Sequence, residues 1–235
     1  DKSCNIFFYN TADRLGISKM NTYSSLFGLG SRTGIELPEA SGVLAGPAYR
    51  ESIGQSWYSG DTVQAAIGQS DNLFTPLQLA NYCATIANGG TRYVPHVIQS
   101  VRSSDYQTEL FRTETQVAAE TDISEKNFQI VKEGMWRVAE TGFCQYAFAN
   151  VPVDCGAKTG TSQVDRYVNG SVVRGNNGFL ISFGPYENSE IAIAVVIENV
   201  NSGTAVADVA GDIYEYYFSQ TDTAAPVQTA GELLR

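Results

Sequence analysis

Lys158-Thr159-Gly160-Thr161 places an ammonium, two hydroxyls and a glycine within four residues, at the start of a segment that reads as a strand. Such a group can hold an anion. The ammonium supplies charge, the hydroxyls supply directed hydrogen bonds, and Gly160 lets a ligand backbone approach closely. A strand edge beside it would offer backbone N–H groups to an extended peptide. Read alone, a four-residue stretch of this kind is more often a turn entering a strand. A second group, Ser3-Cys4-Asn5, heads the first helical segment, 155 residues upstream of Lys158. On its own, Ser-x-Asn reads as a helix cap.

Other chemistries find little support. The single histidine, His96, lies in Tyr93-Val-Pro-His-Val-Ile98, which reads as loop into strand. It is expected to satisfy a local hydrogen bond, and a Ser-His-Asp triad would have to rest on it alone. Four cysteines (Cys4, Cys83, Cys144, Cys155) form no Cys-x-x-Cys pair, which argues against a zinc finger or a His-rich metal centre. Cys83 is expected in a helix core and Cys4 pointing into helix packing. Cys144 and Cys155 are left open between free thiols, a disulfide and, least favoured, a metal pair. No metal and no cofactor are expected. With a net charge of −10 and no basic run, nucleic acid is a poor partner.

The elements that would position these groups can be read from periodicity. Residues 4–29 are mostly helical, with a second helix over Met20–Leu26, and 30–62 read as an irregular Gly, Ser and Pro-rich connection. Thr75–Ala87 is a helix with Thr75 as N-cap, Pro76 in the first position and Asn88-Gly89-Gly90 as the stop. Residues 91–120 suggest short strands and loops. Ser124–Glu140 is a helix capped by Ser124, with Phe128, Val131, Met135, Trp136 and Val138 on its apolar face. Strands follow at Ala157–Val164, Gly178–Phe183 and Glu190–Glu198, the last two joined by a hairpin at Tyr186–Glu190. Ala205–Phe218 closes as an amphipathic helix. Helices first, then neighbouring strands, then a last helix predict an α+β fold: an antiparallel sheet sandwiched by helices. No βαβ alternation or nucleotide fingerprint occurs.

Hydrophobic residues make up 43% of the 235 and charged residues 17%, an ordinary globular composition able to bury a sizeable core. The longest apolar run, Ile191–Ile197, is far too short to span a bilayer, and no signal peptide opens the chain. Beginning at Asp1-Lys2-Ser3 without Met, the chain reads as cut from something longer.

The two chemical groups gain meaning from the text between them. Phe7-Phe8-Tyr9, Asp13-Arg14-Leu15-Gly16, Phe27-Gly28-Leu29-Gly30, Thr33-Gly34-Ile35-Glu36-Leu37-Pro38 and Glu39-Ala40-Ser41-Gly42 occur in that order. Ala66-Ile67-Gly68-Gln69-Ser70, Thr75-Pro76-Leu77-Gln78-Leu79-Ala80, Ala87-Asn88-Gly89-Gly90-Thr91 and Gly156–Gln163 continue it. From Ser3 to Phe218 this series resembles the C-terminal part of the transpeptidase domain of class B high-molecular-weight penicillin-binding proteins, in which Ser-x-Asn and Lys-Thr-Gly are two of three active-site signatures.

The resemblance implies a peptidoglycan D,D-transpeptidase working outside the cytoplasm, its parent protein anchored in the membrane. In that family the serine of a Ser-x-x-Lys motif, which also holds the catalytic lysine, attacks the D-Ala-D-Ala end of a stem peptide, and β-lactams would acylate the same serine. Ser3 would relay a proton, Asn5 would hydrogen-bond the substrate amide and the catalytic lysine, and Lys158 would favour the substrate carboxylate. Thr159 and Thr161 hydroxyls would bind that carboxylate beside Gly160, and the Thr161 N–H would be one oxyanion donor. The third signature, Ser-x-x-Lys, is missing: the residues three before Lys19, Lys126, Lys132 and Lys158 are Gly16, Ile123, Gln129 and Cys155. Residues 1–219 thus read as a partial domain without its nucleophile-bearing part, helical over 1–145 and sheet plus final helix over 146–219, with a loose tail over 220–235. An upstream polypeptide with Ser-x-x-Lys becomes an expected partner, and the chain alone is expected to be inactive. Alternatives on the same fold are a penicillin-sensing or catalytically silent homologue, and a D,D-carboxypeptidase or β-lactamase.

Overall fold

The structure, a computed structural model, describes residues 2–168, 170–200 and 203–221. Two helices, α1 (Asn5–Leu15) and α2 (Ile17–Leu26), open the chain. Cys4 is the N-cap of α1 and is exposed, which corrects its expected burial in helix packing: a cap lies outside the helix's apolar stripe. The segment 30–62 also needs correction. α3 (Pro47–Ser52) lies within it and α4 (Ser59–Ala65) begins there. Helices of six and seven residues complete barely two turns, too few for a periodic pattern to stand out. Asp61 accepts the Tyr58 N–H at 2.9 Å at the head of α4, and Arg50 of α3 pairs with Asp71 and, at 3.7 Å, with Asp61.

α5 (Pro76–Ala87) starts as the sequence predicts. Thr75 accepts the Gln78 N–H at 3.2 Å, and Gln78 accepts the Thr75 N–H at 3.0 Å. The buried Gln78 amide also donates to the carbonyls of Ser31 (2.5 Å) and Ser41 (2.8 Å). One side chain thereby caps a helix and ties down the irregular connection before it.

Beyond α5 the short strands β1 (Thr91–Tyr93) and β4 (Val117–Glu120) pair, as do β2 (Ser100–Arg102) and β3 (Glu109–Arg112). α6 (Glu125–Glu140) follows, then the short α7 (Gln145–Phe148). Ser124 occupies the N-cap of α6 as read, without a side-chain capping bond, whereas the reading of Val131 on the apolar face fails: it is exposed. Positions four and seven after Phe128 are Lys132 and Met135, so Lys132 takes the buried line instead. Its ammonium donates to the Ala87 carbonyl at the end of α5 (3.2 Å) and lies over the Phe183 and Tyr186 rings at 5.5 and 5.4 Å.

The main sheet is antiparallel, in the order β5 (Gly156–Val168), β6 (Ser171–Gly184), β7 (Ile191–Ile197). The β6–β7 hairpin is as expected, with the Glu190 N–H bonded to the Gly184 carbonyl at 2.9 Å. β5 and β6 are much longer than read. They pair from Gly156↔Phe183 to Val168↔Ser171, while β7 pairs only with Gly178–Gly184. The outer part is a two-stranded ribbon with Val172 and Val173 exposed, so no one-sided burial imposes an alternating pattern there.

One face of the sheet (Ala157, Leu180, Ile193, Val195) packs on α8 (Ala207–Thr221), through Ala210, Tyr214 and Phe218, and on Val138, Ala139 and Phe148 of α6 and α7. Tyr214 donates to Ser182 at 3.0 Å within that core. Gly211 lets α8 touch α7: a Cβ there would stand 2.0 Å from the Ala147 carbonyl oxygen. The other face presents Phe183, Ile181 and Ala192 to Cys83 and Ile86 of α5 and to Met135. The fold is α+β, an antiparallel sheet between helical layers. α8 continues past Phe218 to Thr221, and the rest of the tail expected to be loose lies outside the described residues.

Candidate active site

Lys158 and Gly160 point to the α5 side of β5, with Thr159 and Thr161 on the alternate side, as a period of two requires. β5 is an edge strand among the described residues, so both sets of groups meet along its outer rim. They border a cavity of about 600 Å³, closed opposite by Met20, Asn21 and Ser24 of α2 and by Tyr82 of α5.

The ammonium of Lys158 crosses 155 residues of sequence to donate to the Ser3 hydroxyl at 2.9 Å, and also donates to the Thr159 carbonyl at 2.5 Å. Ser3 has φ 46° and lies one residue before the N-cap, so it is not a cap for α1, which has no side-chain capping bond. Lys2 lies over the Phe143 ring at 5.5 Å, holding this end of the chain against the α6–α7 turn. Asn5 is the first residue of α1, with its side chain exposed. Burial pulls the Lys158 pKa below its ordinary value, with the nearby Cys144 opposing.

Sequence reasoning missed two neighbours. Cys144, buried at the α6–α7 turn, is close enough to feel Lys158; burial pushes its thiol up. Gln69 donates from Nε2 to the Thr161 carbonyl at 3.2 Å. It belongs to Ala66-Ile67-Gly68-Gln69-Ser70, but a glutamine in a turn carries no signature of its partner. All four cysteines are free thiols, and burial pushes Cys155 up to about 12, an inert group rather than a nucleophile. His96 is exposed, with Nδ1 3.1 Å from the Ile98 carbonyl. Among the described residues no group of three or more His, Cys, Asp or Glu side chains could hold a metal ion, and no helix is long and apolar enough to cross a membrane.

Residues 1–215 match the penicillin binding protein transpeptidase domain. The chain is 31% identical over 231 residues to a peptidoglycan D,D-transpeptidase MrdA of Acinetobacter baumannii, covering 92% of this chain and 33% of that protein. It is 33% identical over 223 residues to penicillin-binding protein 2A of Bacillus subtilis, covering 84% and 30%. The chain therefore spans about a third of the length of these curated relatives. Among solved structures, PBP2 of Pseudomonas aeruginosa superposes with a TM-score of 0.77 at 26% identity, covering 97% of this chain and 48% of that one. The match takes in both Ser3-Cys4-Asn5 and Lys158-Thr159-Gly160, and the chain belongs to the penicillin binding protein transpeptidase domain family.

Proposed function

We propose that this chain forms one wall of the active site of a serine-type peptidoglycan D,D-transpeptidase acting outside the cytoplasm, and that a further polypeptide part supplies the Ser-x-x-Lys nucleophile. The observation that carries this reading is the 2.9 Å bond from Lys158 to Ser3, which joins two motifs that a cap and a surface lysine would have no reason to bring together.

In this reading the nucleophilic serine attacks the carbonyl of the penultimate D-Ala. The C–N bond to the last D-Ala breaks, and the leaving amine takes a proton through the Ser3 hydroxyl. The acyl-enzyme is then resolved by an amine of a second stem peptide. Lys158 and the hydroxyls of Thr159 and Thr161 hold the substrate carboxylate, with Gly160 leaving room for the peptide. Asn5 bonds the substrate amide and the catalytic lysine. The Thr161 N–H receives the developing oxyanion, a contribution of about 3 kcal/mol for one donor. A β-lactam enters the same sequence as an imitation of D-Ala-D-Ala and acylates the serine.

Three features support a complementary part. Ile6 and Phe7 of α1 are 71% and 63% exposed, large apolar groups on one helix. The 600 Å³ cavity lies beside Lys158, where a nucleophile would have to enter. Among the described residues no strand pairs with the outer edge of β7. The test is labelling by a fluorescent penicillin, read on a denaturing gel and by mass. The isolated chain should stay unlabelled, while the chain together with a polypeptide carrying Ser-x-x-Lys should gain one penicillin. Label on the isolated chain would refute the division of the site. No label on the combined protein would refute the transpeptidase reading.

A further inference from the structure

We infer that Gln69 is a positioning residue that sets the direction of the Thr161 N–H by holding the Thr161 carbonyl from outside the sheet. The inference rests on the transpeptidase reading and adds to it a residue from a different element.

Within a strand, the N–H and C=O of one residue point to the same side, and successive residues alternate. Lys158 Nζ reaches the Thr159 carbonyl, and Gln69 Nε2 reaches the Thr161 carbonyl. Neither donor belongs to β6, and the two carbonyls are two residues apart. Both therefore face the outer rim of β5, and the Thr161 N–H faces it too. A strand inside a sheet is fixed by neighbours on both sides. β5 has β6 on one side only among the described residues, so the twist of its rim at Thr161 depends on side-chain bonds such as the one from Gln69.

Gln69 is itself held in place. The end of α4 turns at Gly68 (φ 78°), with Gly68 N–H bonded to Ala65 at 3.0 Å and Gln69 N–H to Gln64 at 3.1 Å. Ser70 then takes φ 64°, a conformation uncommon for a residue with a side chain, and Asp71 is fixed by Arg50. A glutamine between two left-handed residues and an ion pair presents its amide from a firm base. The chemistry at the carbonyl asks for a donor: a carboxylate at the same place would set two acceptor oxygens against each other.

This gives a signature that a merely structural residue would not produce. Acylation by a fluorescent penicillin is measured on the combined protein containing the Ser-x-x-Lys part, for the native form and for Gln69→Ala, Gln69→Asn and Gln69→Glu, between pH 4.5 and 8. At pH 7 the saturating acylation rate should fall about tenfold in all three, less than the loss of an oxyanion donor outright. The half-saturating penicillin concentration should change less than about threefold, because the residue orients a transition-state donor and does not carry ground-state binding. The Gln69→Glu variant should regain most of its rate, relative to the native form at the same pH, as the pH approaches the ordinary carboxyl value of about 4.3, where a neutral acid can donate to the Thr161 carbonyl. Gln69→Ala and Gln69→Asn should show no such recovery, since asparagine is one methylene too short. Unchanged rates in the variants, or equal losses with no recovery in Gln69→Glu, would overturn the inference and leave the transpeptidase reading standing. A native protein that takes no penicillin would remove both.

Discussion

Lys158 is where charge, burial and geometry meet in this molecule. Its ammonium is partly withdrawn from water, and burial lowers its pKa from the ordinary 10.5. The proposed carboxylate contact needs the charged form. That form is full below the lowered pKa and lost as the pH rises through it, so penicillin acylation of the combined protein should decline on an alkaline limb below pH 10.5. Lys158→Arg should keep charge and abolish that limb. Lys158→Ala should lose about 2–3 kcal/mol, roughly 30- to 150-fold in rate, the worth of a charge-assisted hydrogen bond. A limb unchanged in the arginine variant would assign the titration to another group. The Ser3–Lys158 pair was legible in sequence because two motifs occurred in order within a longer series. Gln69 was not, because it meets the strand through a tertiary hydrogen bond that has no spacing rule of its own.

At the scale of elements, legibility followed local chemistry. α5 is announced at its start by Thr75 and Pro76 and at its end by Asn88-Gly89-Gly90, and the structure uses the first two as read. α3 and α4 are too short for periodicity, and the outer β5–β6 ribbon is exposed on both faces, so neither has a pattern to read. α6 shows a different failure: hydropathy favours Val131 over Lys132, whereas the lysine's stem is buried and its head finds a carbonyl and two rings. α8 offers a test in which tertiary packing opposes propensity. Alanine is favoured over glycine in a helix by up to about 1 kcal/mol. At Gly211, however, the added Cβ would meet the Ala147 carbonyl at 2.0 Å. Gly211→Ala should therefore destabilise by about 1–3 kcal/mol through overpacking, lowering the thermal midpoint by several degrees. A raised midpoint would mean that α7 yields freely.

For the whole molecule, the order of elements was enough to predict a sheet between helical layers, since segregated helices and hairpin-linked strands leave few other ways to cover both faces. What no local pattern carries is the time at which the parts meet. β5, β6 and β7 are neighbours along the chain and can pair through a tight turn and a short hairpin. Ser3 and Lys158 must close a loop of 155 residues, an entropic barrier of about 4–5 kcal/mol beyond a fixed initiation term. The sheet should thus form before the Ser3–Lys158 pair in refolding, with backbone circular dichroism recovering ahead of penicillin reactivity in the combined protein. Simultaneous recovery would mean that the chain's first residues dock while the sheet is still assembling. If Ser3 docks last, a molecule can be folded by every spectroscopic measure and still be chemically silent.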